Sequence, residues 1–167
     1  MNFLLREIKE NDALSIYKHA NNKKIADNLR NVFPHPYSLQ DAKNFIQGIL
    51  NEGEEKQYVR VIDVGGQSVG CVGVFLKDDI YCKNAEIGYW LSEAFWGNGI
   101  VSRAVKMICS ETFEKYDIIR IYAEPFEHNK GSRKVLEKAG FTLEGIFKNN
   151  VYKNDNIYNS CVYALLK

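Results

Sequence analysis

The stretch Glu86-Ile-Gly-Tyr-Trp-Leu-Ser-Glu-Ala-Phe-Trp-Gly-Asn-Gly-Ile-Val-Ser-Arg103 decides how the chain is read. It begins strand-like, turns at Gly97-Asn98-Gly99, and continues with apolar residues at helical spacing: Ile100, Val101, Ala104, Val105, Ile108, Cys109 and Phe113. A strand, a glycine turn and a helix form a natural seat for a phosphate. The first turn of a helix leaves backbone N–H groups without partners, and glycines let that backbone approach an anion with no Cβ in the way.

Spacing separates the known kinds of phosphate-binding glycine turn. A nucleoside triphosphate loop needs Lys-Ser/Thr after its last glycine, and here Ile100 and Val101 follow Gly99. A dinucleotide turn needs a third glycine for close helix packing, and Ser102 stands in its place, although Glu124 does end the next strand-like run. Taken alone, Gly97 and Gly99 only shape a loop.

Outward from this stretch, the chain alternates short strands and helices. Phe3 to Ile8 reads as a strand. Asn11-Asp12 is a plausible cap for a helix whose face is Leu14, Ile16, Tyr17 and Ala20. Pro34 and Pro36 block regular structure between Asn28 and Ser38. Ser38 with Asp41 three positions on opens a helix through Ala42, Phe45, Ile46, Ile49 and Leu50, which Gly53 ends. Gln57 to Val64 and Gln67 to Lys77 flank Gly65-Gly66, a two-residue hairpin turn. Past the glycine turn the helix runs to about Tyr116. Ile118 to Ala123 then reads as a buried strand parallel to the one before the helix. Asn129 caps a helix that Gly140 stops, and strands near Thr142 to Tyr152 and Ile157 to Leu166 close a single domain, 1–167.

Composition narrows the classes of function. With 22 basic and 21 acidic residues, the net charge of +1 leaves no electrostatic footprint for nucleic acid and none for a membrane surface. No apolar run approaches membrane-spanning length, and the residues behind Met1 lack the shape of a signal peptide, so a cytoplasmic location is expected. Cys71, Cys82, Cys109 and Cys161 lie far apart with no metal-ligand spacing, so no metal is expected.

Trp96-Gly-Asn-Gly-Ile-Val-Ser102 resembles the pyrophosphate loop of the GNAT N-acetyltransferases, whose pattern is Gln/Arg-x-x-Gly-x-Gly/Ala. Trp-Gly-x-Gly after Glu-Ile-Gly-Tyr-Trp-Leu is similar to the RimJ/RimL branch, protein N-terminal acetyltransferases acting on ribosomal proteins. Two positions depart from the common pattern: Trp96 replaces Gln or Arg, and Val101 a small residue. The order of elements matches the family over essentially the whole chain. The resemblance implies an α/β GNAT fold: a mixed, mostly antiparallel central sheet with a parallel, splayed strand pair and flanking helices.

It also implies acetyl-coenzyme A as cofactor. Trp96, Gly97, Asn98, Gly99, Ile100, Val101 and Ser102 would hold its pyrophosphate. The backbone of Trp90, Leu91 and Ser92 would line its pantetheine arm, with the Trp90 N–H at the thioester oxygen. Asn129 matches a family position that bonds the cofactor, and is an equally good helix cap. An attacking amine must first lose a proton, since its reference pKa is about 10.4 for lysine and about 7.7–8.0 for an α-amine. Glu86 stands where several members carry that general base, with Glu124 in reserve. Ser132 matches the RimL serine assigned to the leaving thiolate, whereas Leu136 replaces the tyrosine many members use and Val151 replaces the RimL glutamate. Phe33, His35 and Tyr37, in the proline-stiffened loop, are expected to wall the acceptor. The implied activity is acetyl transfer to a primary amine, first of all a protein or peptide N-terminus. A small amine such as an aminoglycoside, polyamine or amino acid, or a non-catalytic coenzyme A sensor, stays open, as does a homodimer.

Overall fold

The computed structural model describes residues 1–167 and contains seven strands and five α-helices. In chain order these are β1 (Leu4–Arg6), α1 (Ala13–Ala20), α2 (Lys23–Ala26), α3 (Leu39–Glu52), β2 (Gln57–Val64), β3 (Gln67–Leu76), β4 (Asn84–Leu91), α4 (Ile100–Lys115), β5 (Arg120–Ala123), α5 (Lys130–Ala139), β6 (Thr142–Lys153) and β7 (Asn156–Leu166). Local chemistry sets most boundaries. Ser38 Oγ accepts from the Asp41 amide while Asp41 accepts from the Ser38 amide, the reciprocal box that starts α3. Gly65 and Gly66 take φ of 61° and 83°, which matches the twist of the β2–β3 hairpin.

One sheet holds all seven strands in the order β1-β2-β3-β4-β5-β7-β6, antiparallel except between β4 and β5. Those two strands pair only where Asn84, Ala85 and Glu86 face Arg120, Ile121 and Tyr122. From Ile87 to Leu91, β4 has no neighbour on that side. The expected splay is therefore present.

Period-two alternation sends β4 side chains to two different cores. Ala85, Ile87 and Leu91 pack with Ile100, Ala104, Val105 and Ile108 of α4. Trp90, from the other face, packs with Ile16 and Ala20 of α1 and Ala42 and Ile46 of α3.

Asp12 stands at the N-cap position of α1, as expected, but its side chain makes no capping bond to that helix. Its carboxylate accepts from Arg6 Nη2 at 2.8 Å, from Ser68 Oγ at 2.5 Å and from the Lys9 amide, while Arg6 Nε reaches Asp63 at 2.7 Å. Burial pushes the Asp12 pKa up, but the bonds from Arg6, Ser68 and Lys9 outweigh it and hold the group below the usual carboxylate range. These contacts span up to 57 residues of chain, so no local pattern announces them. The strand expected over Phe3 to Ile8 is shorter for a related reason: after Arg6 the chain leaves the sheet and turns into the 3-10 segment Glu10–Asp12.

Candidate active site

A cavity of about 1380 Å³ runs from the glycine turn, through the gap between β4 and β5, to the far face of the sheet. Its first wall is the start of α4. Gly97 and Gly99 take φ of 80° and 67°, and nothing lies within 4 Å of where a Cβ on either would sit. The six backbone N–H groups of Gly97, Asn98, Gly99, Ile100, Val101 and Ser102 have no partner within the protein. Unpaired amides at a helix start, in open space, suit a diphosphate. On α5, Lys130, Lys134 and Lys138 line the same cavity at four-residue spacing, adding positive charge. That spacing was visible in the sequence, though nothing there said which way the face turned.

Trp96, which stands where the common pattern has Gln or Arg, donates its Nε1 to the Leu91 carbonyl at 2.8 Å and ties the turn to the end of β4. Asn98 Nδ2 closes the turn onto the carbonyls of Phe95 and Trp96. Ser92 donates its amide to Val69, and Lys77 donates to Asn84, so even-numbered residues of β4 bond toward β3. The Trp90 N–H is therefore turned to β3, not to the gap. The amides directed into the gap are those of Ile87, Tyr89 and Leu91, because no bulge shifts the β3–β4 register.

Asn129 does cap α5, its Oδ1 accepting from the Ser132 amide at 3.1 Å, and it also lines the cavity. Ser132 meets a partner the sequence did not announce. Tyr89 Oη lies 2.8 Å from Ser132 Oγ and 3.2 Å from the Ser132 carbonyl. Burial drives the Tyr89 pKa well above the ordinary phenol value, so the phenol is neutral and can donate. Leu136 is fully buried in the core, whereas Val151 lines the cavity.

Both candidate carboxylates line the cavity, in different states. Glu86 is held on both oxygens, by Lys77 Nζ at 2.9 Å and by Arg30. Glu124 is exposed and makes no hydrogen bond or ion pair within the protein, which leaves its oxygens free. Of the three residues expected to wall the acceptor, only Phe33 lines the cavity, with its ring 5.8 Å from that of Trp90. Tyr37 is buried behind it, 4.9 Å from the Phe33 ring, and burial raises its pKa; His35 is exposed and outside the cavity. The loop that carries the two prolines is irregular, as expected, and His35 in it faces solvent.

A family model described as Acetyltransferase (GNAT) domain matches residues 2–142. The chain belongs to the GNAT acetyltransferase family. It is an acetyl-coenzyme A-dependent N-acetyltransferase. This GNAT chain is 28% identical to an uncharacterized N-acetyltransferase, YoaA, of Bacillus subtilis, over 98% of its own length and 93% of the relative's. It is also 28% identical to the ribosomal-protein-serine acetyltransferase of Escherichia coli, over 76% and 71% of the two lengths. Among solved structures, a RimL ribosomal L7/L12 alpha-N-protein acetyltransferase in complex with coenzyme A superposes with a TM-score of 0.88 at 25% identity, covering 99% of this chain and 94% of the other.

In the GNAT chain Cys71, Cys109 and Cys161 are buried free thiols, and burial pushes Cys109 up to about 12. No cluster of three His, Cys, Asp or Glu is placed to hold a metal, and no helix is long and apolar enough to cross a membrane.

Proposed function

We propose that this acetyltransferase acts on the α-amine of a protein or peptide. The observation that carries the reading is the continuity of the cavity: it joins the unpaired amides of Gly97 to Ser102 with Glu86 and Glu124 on the acceptor side, through the gap beside β4. An extended acyl carrier can pass along that gap while an amine enters from the opposite face. The resemblance to ribosomal-protein acetyltransferases supports a peptide in the second position.

The residues of the chain divide the work. The turn and Lys130, Lys134 and Lys138 hold phosphates, and the amides of Tyr89 and Leu91 face the carbonyl oxygen on which negative charge grows during attack. Glu124 takes the proton that the amine must shed, because its lone pairs are free. Glu86, neutralised by Lys77 and Arg30, shapes the entrance. The Ser132 hydroxyl donates to the departing sulfur.

Release of free thiol from acetyl-coenzyme A, screened against N-terminal peptides, aminoglycosides, polyamines and amino acids, tests the acceptor class. The peptide reading predicts the highest kcat/KM for peptides; a small amine that outperforms them all would sink it. Glu124→Gln is expected to lower kcat by about a hundredfold, the low end for a lost general base. Glu86→Gln is expected to lower it less. The reverse order would make Glu86 the base.

A further inference from the structure

We infer that the acceptor carries a carboxylate close to its amine, and that Lys153 binds it. This rests on the peptide reading above and narrows it to N-termini with Asp or Glu just behind the first residue. Lys153, the last residue of β6, lines the acceptor end of the cavity and is 6% exposed. Burying an ammonium costs free energy unless it is paired, yet no carboxylate lies within ion-pair distance of its Nζ. It donates instead to the Leu29 carbonyl at 2.5 Å and to Asn31 Oδ1 at 3.2 Å. An ammonium has three N–H groups, and these contacts use two. The third is available to an anion in the cavity.

The neighbouring charges sort themselves consistently with this. Lys24 is taken by Glu93, and Arg30 and Lys77 are both taken by Glu86. That leaves one unpaired carboxylate on this side, Glu124, and one buried cation without an anion, Lys153. An acceptor bearing an amine and a carboxylate satisfies both. A polyamine would instead set its second ammonium against Lys153, in a low-dielectric site where like charges repel strongly. Burial already holds the Lys153 pKa below the ordinary lysine value, with Lys23 adding to that and Asp27 opposing it. A bound carboxylate relieves that cost.

The test compares the peptides Ser-Glu-Ala-Ala, Ser-Gln-Ala-Ala and Ser-Lys-Ala-Ala, with free glutamate and spermidine, in the wild type and in Lys153→Met. The acidic peptide is expected to exceed the glutamine peptide in kcat/KM by about tenfold, the worth of one charge-assisted contact. In Lys153→Met the ratio should fall to within about twofold. Free glutamate ahead of every peptide would support the Lys153 site while moving the carboxylate to a small acceptor. Equal rates for acidic and neutral peptides overturn the Lys153 site and leave peptide acetylation standing. N-acetylated forms of the same peptides, titrated calorimetrically into protein saturated with coenzyme A, read binding without turnover. Selective binding of the acidic form with no acetylation of any free peptide would refute the peptide reading but keep the anion site. Should Lys153→Met fail to fold, the wild type decides: the advantage of the acidic peptide must shrink as salt rises, and a flat ratio overturns the inference.

Discussion

At one end of the cavity the donors are main-chain amides of consecutive residues, Gly97 to Ser102; at the other they are side chains from separate segments, Arg30, Lys77 and Lys153, set against Glu86 and Glu124. The first kind of site depends on the path of the backbone. Its side chains can vary while the amides stay in place, as the exchange of Gln or Arg for Trp96 illustrates. The second kind depends on which side chains the fold brings together, and charge pairing there leaves particular groups free. Cofactor and acceptor recognition should therefore fail in response to different substitutions.

The largest effect is expected at the backbone end. Gly99→Asp puts a negative side chain beside the phosphate seat, and coenzyme A affinity should fall by about a hundredfold or more, some 2.7 kcal/mol. The fold should survive, because Gly99 sits in the left-handed region that aspartate tolerates and no atom lies within 4 Å of the added Cβ. Calorimetry reads the affinity and circular dichroism the fold. Undiminished affinity would break the contrast between the two ends.

A middle-sized effect is expected where the two ends meet. Tyr89→Phe removes the phenol that orients the Ser132 hydroxyl, and kcat should drop by about fivefold to tenfold with KM for acetyl-coenzyme A unchanged. Combined with Ser132→Ala it should add almost nothing, since the two groups act as one unit. Additive losses would show that the pair does not work together. At the acceptor end, Arg30→Ala removes an ion pair whose arginine is mostly exposed, and should cost under about 1 kcal/mol of stability in a denaturant titration. A larger loss would mean that Arg30 braces the loop and not only the entrance.

How far each feature was legible follows from the same contrast. The Ser38–Asp41 box, the Gly65-Gly66 hairpin and the stop at Gly140 each depend on a few neighbouring residues, and each stands where local chemistry put it. The helix Lys23–Ala26 was not expected, because a single four-residue turn carries too little periodicity to register. The amide facing the gap is one residue away from the Trp90 N–H that the resemblance implies. Alternation along a strand is plain in a sequence, but its phase is set by hydrogen bonds to β3. His35, Tyr37 and Phe33 share one loop and so read alike in the sequence, and only the turn of that loop separates an exposed ring, a buried one and a cavity wall.

The sequence by itself determined the strand, glycine turn and helix, the family they belong to, and the cofactor that this junction accommodates, because unpaired amides and permissive glycines are properties of adjacent residues. Tertiary structure alone decided that Glu124 is free while Glu86 is paired, that Tyr89 meets Ser132, and that Lys153, bonded to a carbonyl 124 residues away, is left without an anion. Pairing between charges depends on distances through space, and only the folded chain sets those.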